Sequence, residues 1–524
     1  MTGRPAVVTP GRLGLREDAP VPIGSTVDLA DDTQEIADGV LFGGSPARVM
    51  RLSAAGVTAL AELRAGPVTS AAGAVLARRL TDAGLAQPRV ARPSLGREAP
   101  AIEATVVVPV RDRLAELDRC LAAAGRQYPV LVVDDGSADP AAVAAVCAAR
   151  GARLVRRDVN GGPGAARNTG VRLVETELVA FLDSDCVPAG DWIAGLAGHF
   201  ADPLVAAAAP RIVAAPASPA AGQGPEAAPG SVLDLGDRAA RVAPMTRVAY
   251  VPTAALVVRR SALGGGFDES LRYGEDVDLV WRLIEAGWRV RYDPGVRVGH
   301  AEPGSRPALL RRRFRYGSSA APLARRHPGA VAPLVLQPWP TVTMTALLGR
   351  RPVTAAALFG VSTVLLAARL RENDLPATGL VAPMANGVRQ TWLGTGRWCG
   401  QFAAPALLLA IARPGGRTAR TRWGRRLAAA SLLAGPPLTE WAGRRDGSPV
   451  RFTARFLADQ AAYGAGVYAG CLRERTISPV LPTVTGQPFE GLRRRRPPGS
   501  GGAGLRRSRA QAPPDVTGPM KVPG

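Results

Sequence analysis

The 524-residue chain holds 65 basic side chains against 43 acidic ones, a net charge of +22, and 47% of its residues are hydrophobic. That length has room for two or more domains with sizeable cores. The five cysteines form no CxxC pair and total an odd number, which argues against a disulfide framework or a zinc cluster and for a reducing cytosol.

The charge is uneven. Residues 303–524 carry 33 basic and 8 acidic side chains, whereas residues 1–302 carry 32 and 35. A near-neutral front half therefore precedes a strongly basic back half, which suits nucleic acid or the anionic face of a membrane. The N-terminal stretch "MTGRPAVVTPGRLGLRED" has no apolar core and does not read as a secretory signal.

Residues 1–84 predict a small α+β domain: a strand pair, a helix, a turn and a second helix. Within it, "LFGGSPARVMRLS" offers a glycine turn and an edge onto which an extended peptide could add as a strand; a packing or dimerisation module is the plainer reading. A proline- and arginine-rich linker spans 85–103. From 104 to 325, short β-branched runs alternate with alanine-rich helical stretches, which predicts an α/β domain on a mostly parallel sheet. Residues 214–231 read as a surface insertion, 326–487 as a helical, membrane-prone region, and 488–524 as a disordered basic tail.

Three acidic groupings stand at predicted strand ends or helix starts. "VVDDGS" ends one strand with Asp134 and Asp135, and "FLDSD" ends another with Asp183 and Asp185. In open α/β sheets ligands gather beyond the carboxyl ends of the strands, and paired carboxylates there suit Mg2+ or Mn2+. Helix capping explains each pair alone equally well. "NGGPGAARNTG" is a glycine-rich loop opening a helix, fit for phosphate, but Arg167 follows its glycines and the acidic pair precedes it, so a dinucleotide fingerprint fails. In "GEDVDLVWRL", Glu275, Asp276 and Asp278 occupy a helix's first turn, where the dipole favours acids and where one can also serve as a general base.

In this order "VVVPVRDR", "VVDDGS", "GPGAARNTG", "FLDSD" and "GEDVDLVWRL" resemble an inverting family 2 glycosyltransferase of GT-A fold, which implies a mixed sheet flanked by helices. From about residue 30 to 476, further stretches, among them "RRRFRYGSSAAPLARRHPG" and "AAYGAGVYAGCLRER", resemble the mycofactocin-system glycosyltransferases. The resemblance implies a UDP-sugar donor, a divalent metal and transfer of glucose, as a β-linkage, to a peptide-derived redox cofactor. It implies Asp276 as the base and Asp185, with Asp183 and His300, as metal ligands. It implies Pro109, Arg111, Asp134, Asp135, Arg167 and Asp183 around the nucleotide sugar, with Asp135 accepting from uracil N3 and Arg167 reaching base or phosphate. "RRRFRYG" stands where processive members carry Q-x-x-R-W and does not match it, although the resembled group builds a short glucan.

The back half poses a membrane question first. Residues 328–349 and 352–368 are uncharged runs of 22 and 17 residues; four prolines interrupt the first, and the second reaches only about 25 Å against a bilayer core of about 30 Å. Re-entrant or interface-lying helices on the cytoplasmic side, with arginines on anionic lipid, fit better than clean multi-pass insertion, and nucleic acid fits least. Two rivals accompany the main reading: the same fold acting on a lipid or cell-wall glycan, and a non-catalytic nucleotide-sugar-binding module. A neighbouring gene for a short peptide precursor would favour the main reading, and lipid-carrier genes the first rival.

Overall fold

The computed structural model describes residues 4–90, 102–215, 231–302, 304–414, 419–445 and 447–485. Most of the expected linker, the surface insertion and the basic tail lie outside them.

The N-terminal unit contains β1 (Thr26–Leu29), β2 (Gln34–Ala37), β3 (Val40–Gly43), β4 (Arg48–Arg51), α1 (Ala54–Ala65), α2 (Ala71–Ala83) and β5 (Ala86–Arg89). Both helices start on serine caps, Ser53 and Ser70, each accepting from the backbone N–H three residues on. Instead of one strand pair there are two small sheets, β2-β3-β4 and β1-β5. β5 extends the unit into the segment read as linker, where it pairs antiparallel with β1 and satisfies backbone groups along that strand. Within the glycine-turn segment β3 is the central strand and β4 the edge.

The middle of the chain contains β6 (Ala104–Val110), α3 (Leu114–Ala124), β7 (Val130–Asp135), α4 (Pro140–Arg150), β8 (Arg153–Arg157), α5 (Pro163–Leu173), β9 (Leu178–Leu182), β10 (Cys186–Pro188), α6 (Trp192–Ala197), β11 (Val205–Ala214), β12 (Ala240–Arg241), β13 (Ala255–Arg259), α7 (Arg260–Leu263), α8 (Glu275–Glu285) and β14 (Arg289–His300). They form one sheet in the order β10-β14-β11-β13-β9-β6-β7-β8, with β12 beside β14. It is mixed, as the GT-A resemblance implies and not mostly parallel as the strand-helix alternation alone suggests: β6 runs parallel to β7 and β9, but β13 is antiparallel to both of its neighbours. Two apolar cores, centred on Phe181 and Phe267 and on Leu182 and Ile193, cover its two faces. Strands buried on both faces read as continuous apolar runs, which is why "ATVVVPV" and "LVAFL" were legible.

Helices follow: α9 (Arg306–Ser318), α10 (Ala320–Arg326), α11 (Pro338–Leu348), α12 (Pro352–Glu372), α13 (Val381–Trp398), α14 (Ala404–Ala412), α15 (Ala419–Arg444) and α16 (Pro449–Glu474), with a short pair of β15 (Val335–Leu336) and β16 (Thr483–Val484). Among the described residues only α12 is long and apolar enough to cross a membrane, and length and composition alone are weak evidence that it does. The end of α12 and the turn after it pack Leu370 and Leu375 against Val40 and Val49 of the β2-β3-β4 sheet. The fold is thus a mixed α/β sheet flanked by helices, with a small α+β unit before it and a helical region after it. All five cysteines are free and buried.

Candidate active site

The expected carboxylates meet beyond the carboxyl ends of β6, β7 and β9 and the start of α8. Asp134 and Asp135 end β7, and the parallel register sets them opposite Arg156 and Arg157 of β8. Asp134 is fully buried; it accepts from Ser137 N at 2.9 Å and from Arg156 at 2.5 Å. Asp135 accepts from Arg157 Nε at 2.9 Å and from the backbone N–H groups of Gly161 and Gly162 at 3.0 and 2.7 Å, so it pins the glycine-rich loop that opens α5. Of a carboxylate's roughly four acceptor positions, three are filled and one is open.

Arg167 is 3% exposed and joins two acidic groups, donating to Asp183 Oδ1 at 2.6 Å and to Glu275 Oε1 at 2.9 Å. Its planar fork can span two carboxylates from different elements, which a lysine cannot do. Burial alone would lower the Arg167 pKa, and the charges of Asp183 and Glu275 outweigh it and raise it. The guanidinium expected to reach base or phosphate thus holds both carboxylates through its terminal nitrogens, and its Nε has no hydrogen-bond partner among the described residues.

The two aspartates of "FLDSD" part company. Asp183 turns to Arg167, while Asp185 pairs with Arg113 and lies 3.8 Å from His300 Nε2. Antiparallel pairing of β10 with β14 brings Cys186 opposite His300, which fixes that approach. The other imidazole nitrogen, Nδ1, is 3.3 Å from Glu302 Oε1. Burial would raise the Glu302 pKa, but hydrogen bonds with His300 and Ser231 and the Arg312 charge hold it down at about 2. A carboxylate behind an imidazole is the usual way to orient a ligating histidine. Among the described residues no three His, Cys, Asp or Glu side chains converge on one point. The pair of Asp185 and His300 still fits a hard divalent ion that draws its remaining ligands from water and substrate phosphates. Pro109 and Arg111 stand at the end of β6; Arg111 is exposed and pairs with Asp112, whose carboxylate accepts from Ala138 N.

The three acids of α8 have three different surroundings. Glu275 is buried against Arg167; burial and the Asp276 charge push it up to about 7 against the guanidinium's pull. Asp278 is fully buried on the far side of the helix, bonded to Arg282 at 2.7 Å and His327 at 3.1 Å. Burial would raise its pKa, and the His327 and Arg282 contacts lower it to about 2. Asp276 is half-buried, accepts one hydrogen bond, from Val277 N at 2.8 Å, and makes no ion pair among the described residues. Burial raises its pKa. The sequence did not single out Arg113, Arg156, Arg157 or Glu302. The signals were present in "RVGHAEP" and in the arginines that end the strand after "VVDDGS", but pairing them required the register.

The glycosyl transferase family 2 profile matches residues 105–263. Over 491 residues the chain is 38% identical to the pre-mycofactocin glycosyltransferase of Mycobacterium tuberculosis (strain ATCC 25618 / H37Rv), covering 88% of this chain and 98% of that one. The chain belongs to the pre-mycofactocin glycosyltransferase family. It is therefore a family 2 glycosyltransferase. The succinoglycan biosynthesis protein ExoO of Rhizobium meliloti (strain 1021) is 31% identical over 222 residues, 37% of this chain and 58% of that protein. Among solved structures, the mannosyltransferase PcManGT from Pyrobaculum calidifontis, in complex with GDP-Man and Mn2+, matches at 23% identity and a TM-score of 0.35, over 63% of this chain and 87% of that one.

Proposed function

We propose that this enzyme moves glucose from UDP-glucose onto pre-mycofactocin, a peptide-derived redox-cofactor precursor, with inversion to a β-linkage. The carrying observation is Asp276: of the site's carboxylates it alone lacks an ion pair among the described residues, and burial makes it a stronger base than an ordinary aspartate. In the reaction an acceptor hydroxyl attacks the anomeric carbon and gives its proton to Asp276. The bond from that carbon to the diphosphate breaks, and UDP leaves with the electron pair. General-base assistance contributes roughly 10²–10⁴-fold, so positioning and leaving-group stabilisation supply the remainder. A divalent ion, Mg2+ or Mn2+, held by Asp185 and His300 with Asp183 nearby, would neutralise charge on the leaving diphosphate. Pro109, Arg111, Asp134 and Asp135 would frame the nucleotide, and Arg167 would hold Asp183 and Glu275 in place.

The basic helical region would rest on the cytoplasmic face of a membrane. Val353, Val361, Val364 and Leu365 of α12 and Leu408 and Leu409 of α14 are more than half exposed, and such surface favours an interface.

The test incubates the purified enzyme with UDP-glucose and pre-mycofactocin, with Mg2+ or Mn2+ and with EDTA. Mass spectrometry should show metal-dependent hexose addition, and NMR a β-anomer. An α-linked product overturns inversion, and full turnover in EDTA overturns the metal.

A further inference from the structure

Away from the candidate active site, the sheet carries a cluster of arginines where the N-terminal unit docks on it. Val290 and Tyr292 of β14, with Ala240 and Val242 beside them, belong to the core centred on Phe181 and Phe267. Side chains alternate along a strand, so Arg289 and Arg291 of β14 and Arg241 of β12 stand on the other face. Antiparallel pairing sets Arg241 opposite Arg291. Helix α2 packs over this face. Arg289 Nη2 is 2.7 Å from Asp82 Oδ2, Arg241 Nη1 donates to the Asp82 carbonyl at 2.5 Å, and Arg78 Nη2 is 2.7 Å from Asp202 Oδ1. Arg241 also lines a cavity of about 20 Å³ with Gly84, Gln87 and Ala240, which brings room for a water or a small ion to the edge of the cluster.

Four arginines, Arg78, Arg241, Arg289 and Arg291, thus meet two carboxylates, Asp82 and Asp202. Asp293, next on that face of β14, is 3.1 Å from His199 Nε2 and accepts from Gly295 N at 2.9 Å. Arg291 is left over. It is 1% exposed, and its Nε and Nη1 have no hydrogen-bond partner among the described residues. Nη1 of the buried Arg78 has none either, since Asp82 Oδ1 stands 3.9 Å away. Burial pushes the Arg291 pKa down to about 10; the Asp202 and Asp82 charges offset part of that, and those of Arg78 and Arg241 add to it. The group is still charged at neutral pH, and a buried charge with orphaned donors is costly unless something answers it.

We infer that Arg78, Arg241 and Arg291 hold a small inorganic anion, chloride or phosphate, which bridges the N-terminal unit and the sheet. The orphaned N–H groups donate to it, and its charge offsets the excess of guanidinium over carboxylate. Because Arg78 comes from α2 and the other two from β12 and β14, the ion ties together elements more than 160 residues apart in the chain.

The test compares the Tm of the full chain in sodium gluconate, chloride and phosphate at equal ionic strength, for wild type and Arg291→Met. A bound anion should raise the wild-type Tm by about 2–4 °C over gluconate. Arg291→Met keeps the length and removes the charge, so it should lose that rise. A rise in chloride alone assigns a monatomic ion, one in phosphate alone a tetrahedral oxyanion, and one in both a site that accepts either. No rise in wild type, or the same rise in the variant, overturns the site. If Arg291→Met does not fold, Arg241→Gln takes its place and is read in the same way. Wild-type crystals grown with bromide or arsenate give a check that needs no variant. An anomalous peak within hydrogen-bond reach of Arg291 supports the site, and none with either anion overturns it.

Discussion

The two halves of the candidate site handle charge in opposite ways. On the side of β6, β7 and β9, Asp134, Asp135, Asp183 and Asp185 each hold an arginine. At the start of α8, Asp276 has no such partner among the described residues and accepts only from Val277 N. Paired carboxylates fix loops and strand ends, whereas burial without a partner makes a carboxylate take up protons more readily. On the function proposed above, the first side would hold the nucleotide sugar in place and the second would take up a proton.

The comparison breaks most sharply at two aspartates one residue apart. Asp276→Asn keeps the shape and removes the base, so transfer should fall by at least about 10²-fold while UDP binding and thermal stability persist. Asp278→Asn should do the reverse, because Arg282 and His327 would lose a buried partner. A stability loss of about 3–5 kcal/mol is expected by denaturant titration, with kcat retained in the folded fraction. Equal kinetic losses in both variants would erase the distinction between the two faces of α8.

A smaller effect sharpens the contrast through pH. The pKa values of Glu275 and Asp276 are both raised by burial, and Glu275 reaches about 7. Deprotonation activates the base, so the acid limb of the kcat/KM profile should lie above the ordinary carboxylate value of about 4. For stability the sign is opposite. Groups with raised folded pKa values stabilise the fold at low pH and lose that contribution as pH climbs from about 4 to about 7. Activity should therefore rise while stability declines across that window. An acid limb at the unperturbed carboxylate value would remove the burial argument.

The smallest expected effect concerns the outer surface of the helical region rather than the candidate site. Val364→Asp with Leu365→Asp should weaken co-sedimentation with phosphatidylserine vesicles severalfold, with little change in turnover on a soluble acceptor. Vesicle binding that survives both substitutions would move the contact away from α12.

Much of the fold was legible because buried strands print apolar runs and helices print caps. The strands in "ATVVVPV", "LVVDD" and "LVAFL" and the helix starting at Glu275 lie where periodicity puts them. The antiparallel insertion of β13 was not legible, since strand direction leaves no mark on a run of buried valines. In the site, residue types and their places at strand ends could be read, but partners could not.

By itself, then, the sequence determined which carboxylates stand at the strand ends and at the start of α8, because those positions follow from local patterning. Only the tertiary structure decided that Asp183 turns to Arg167 while Asp185 faces His300, and that Asp278 is buried and paired while Asp276 is half-buried without an ion pair among the described residues. It likewise decided that α16 returns to pack against α9. The reason is physical: a side chain's charge state and partners depend on what long-range packing brings within a few ångströms, and a glycine seam such as that of α9 and α16 becomes close contact only when both backbones are in place.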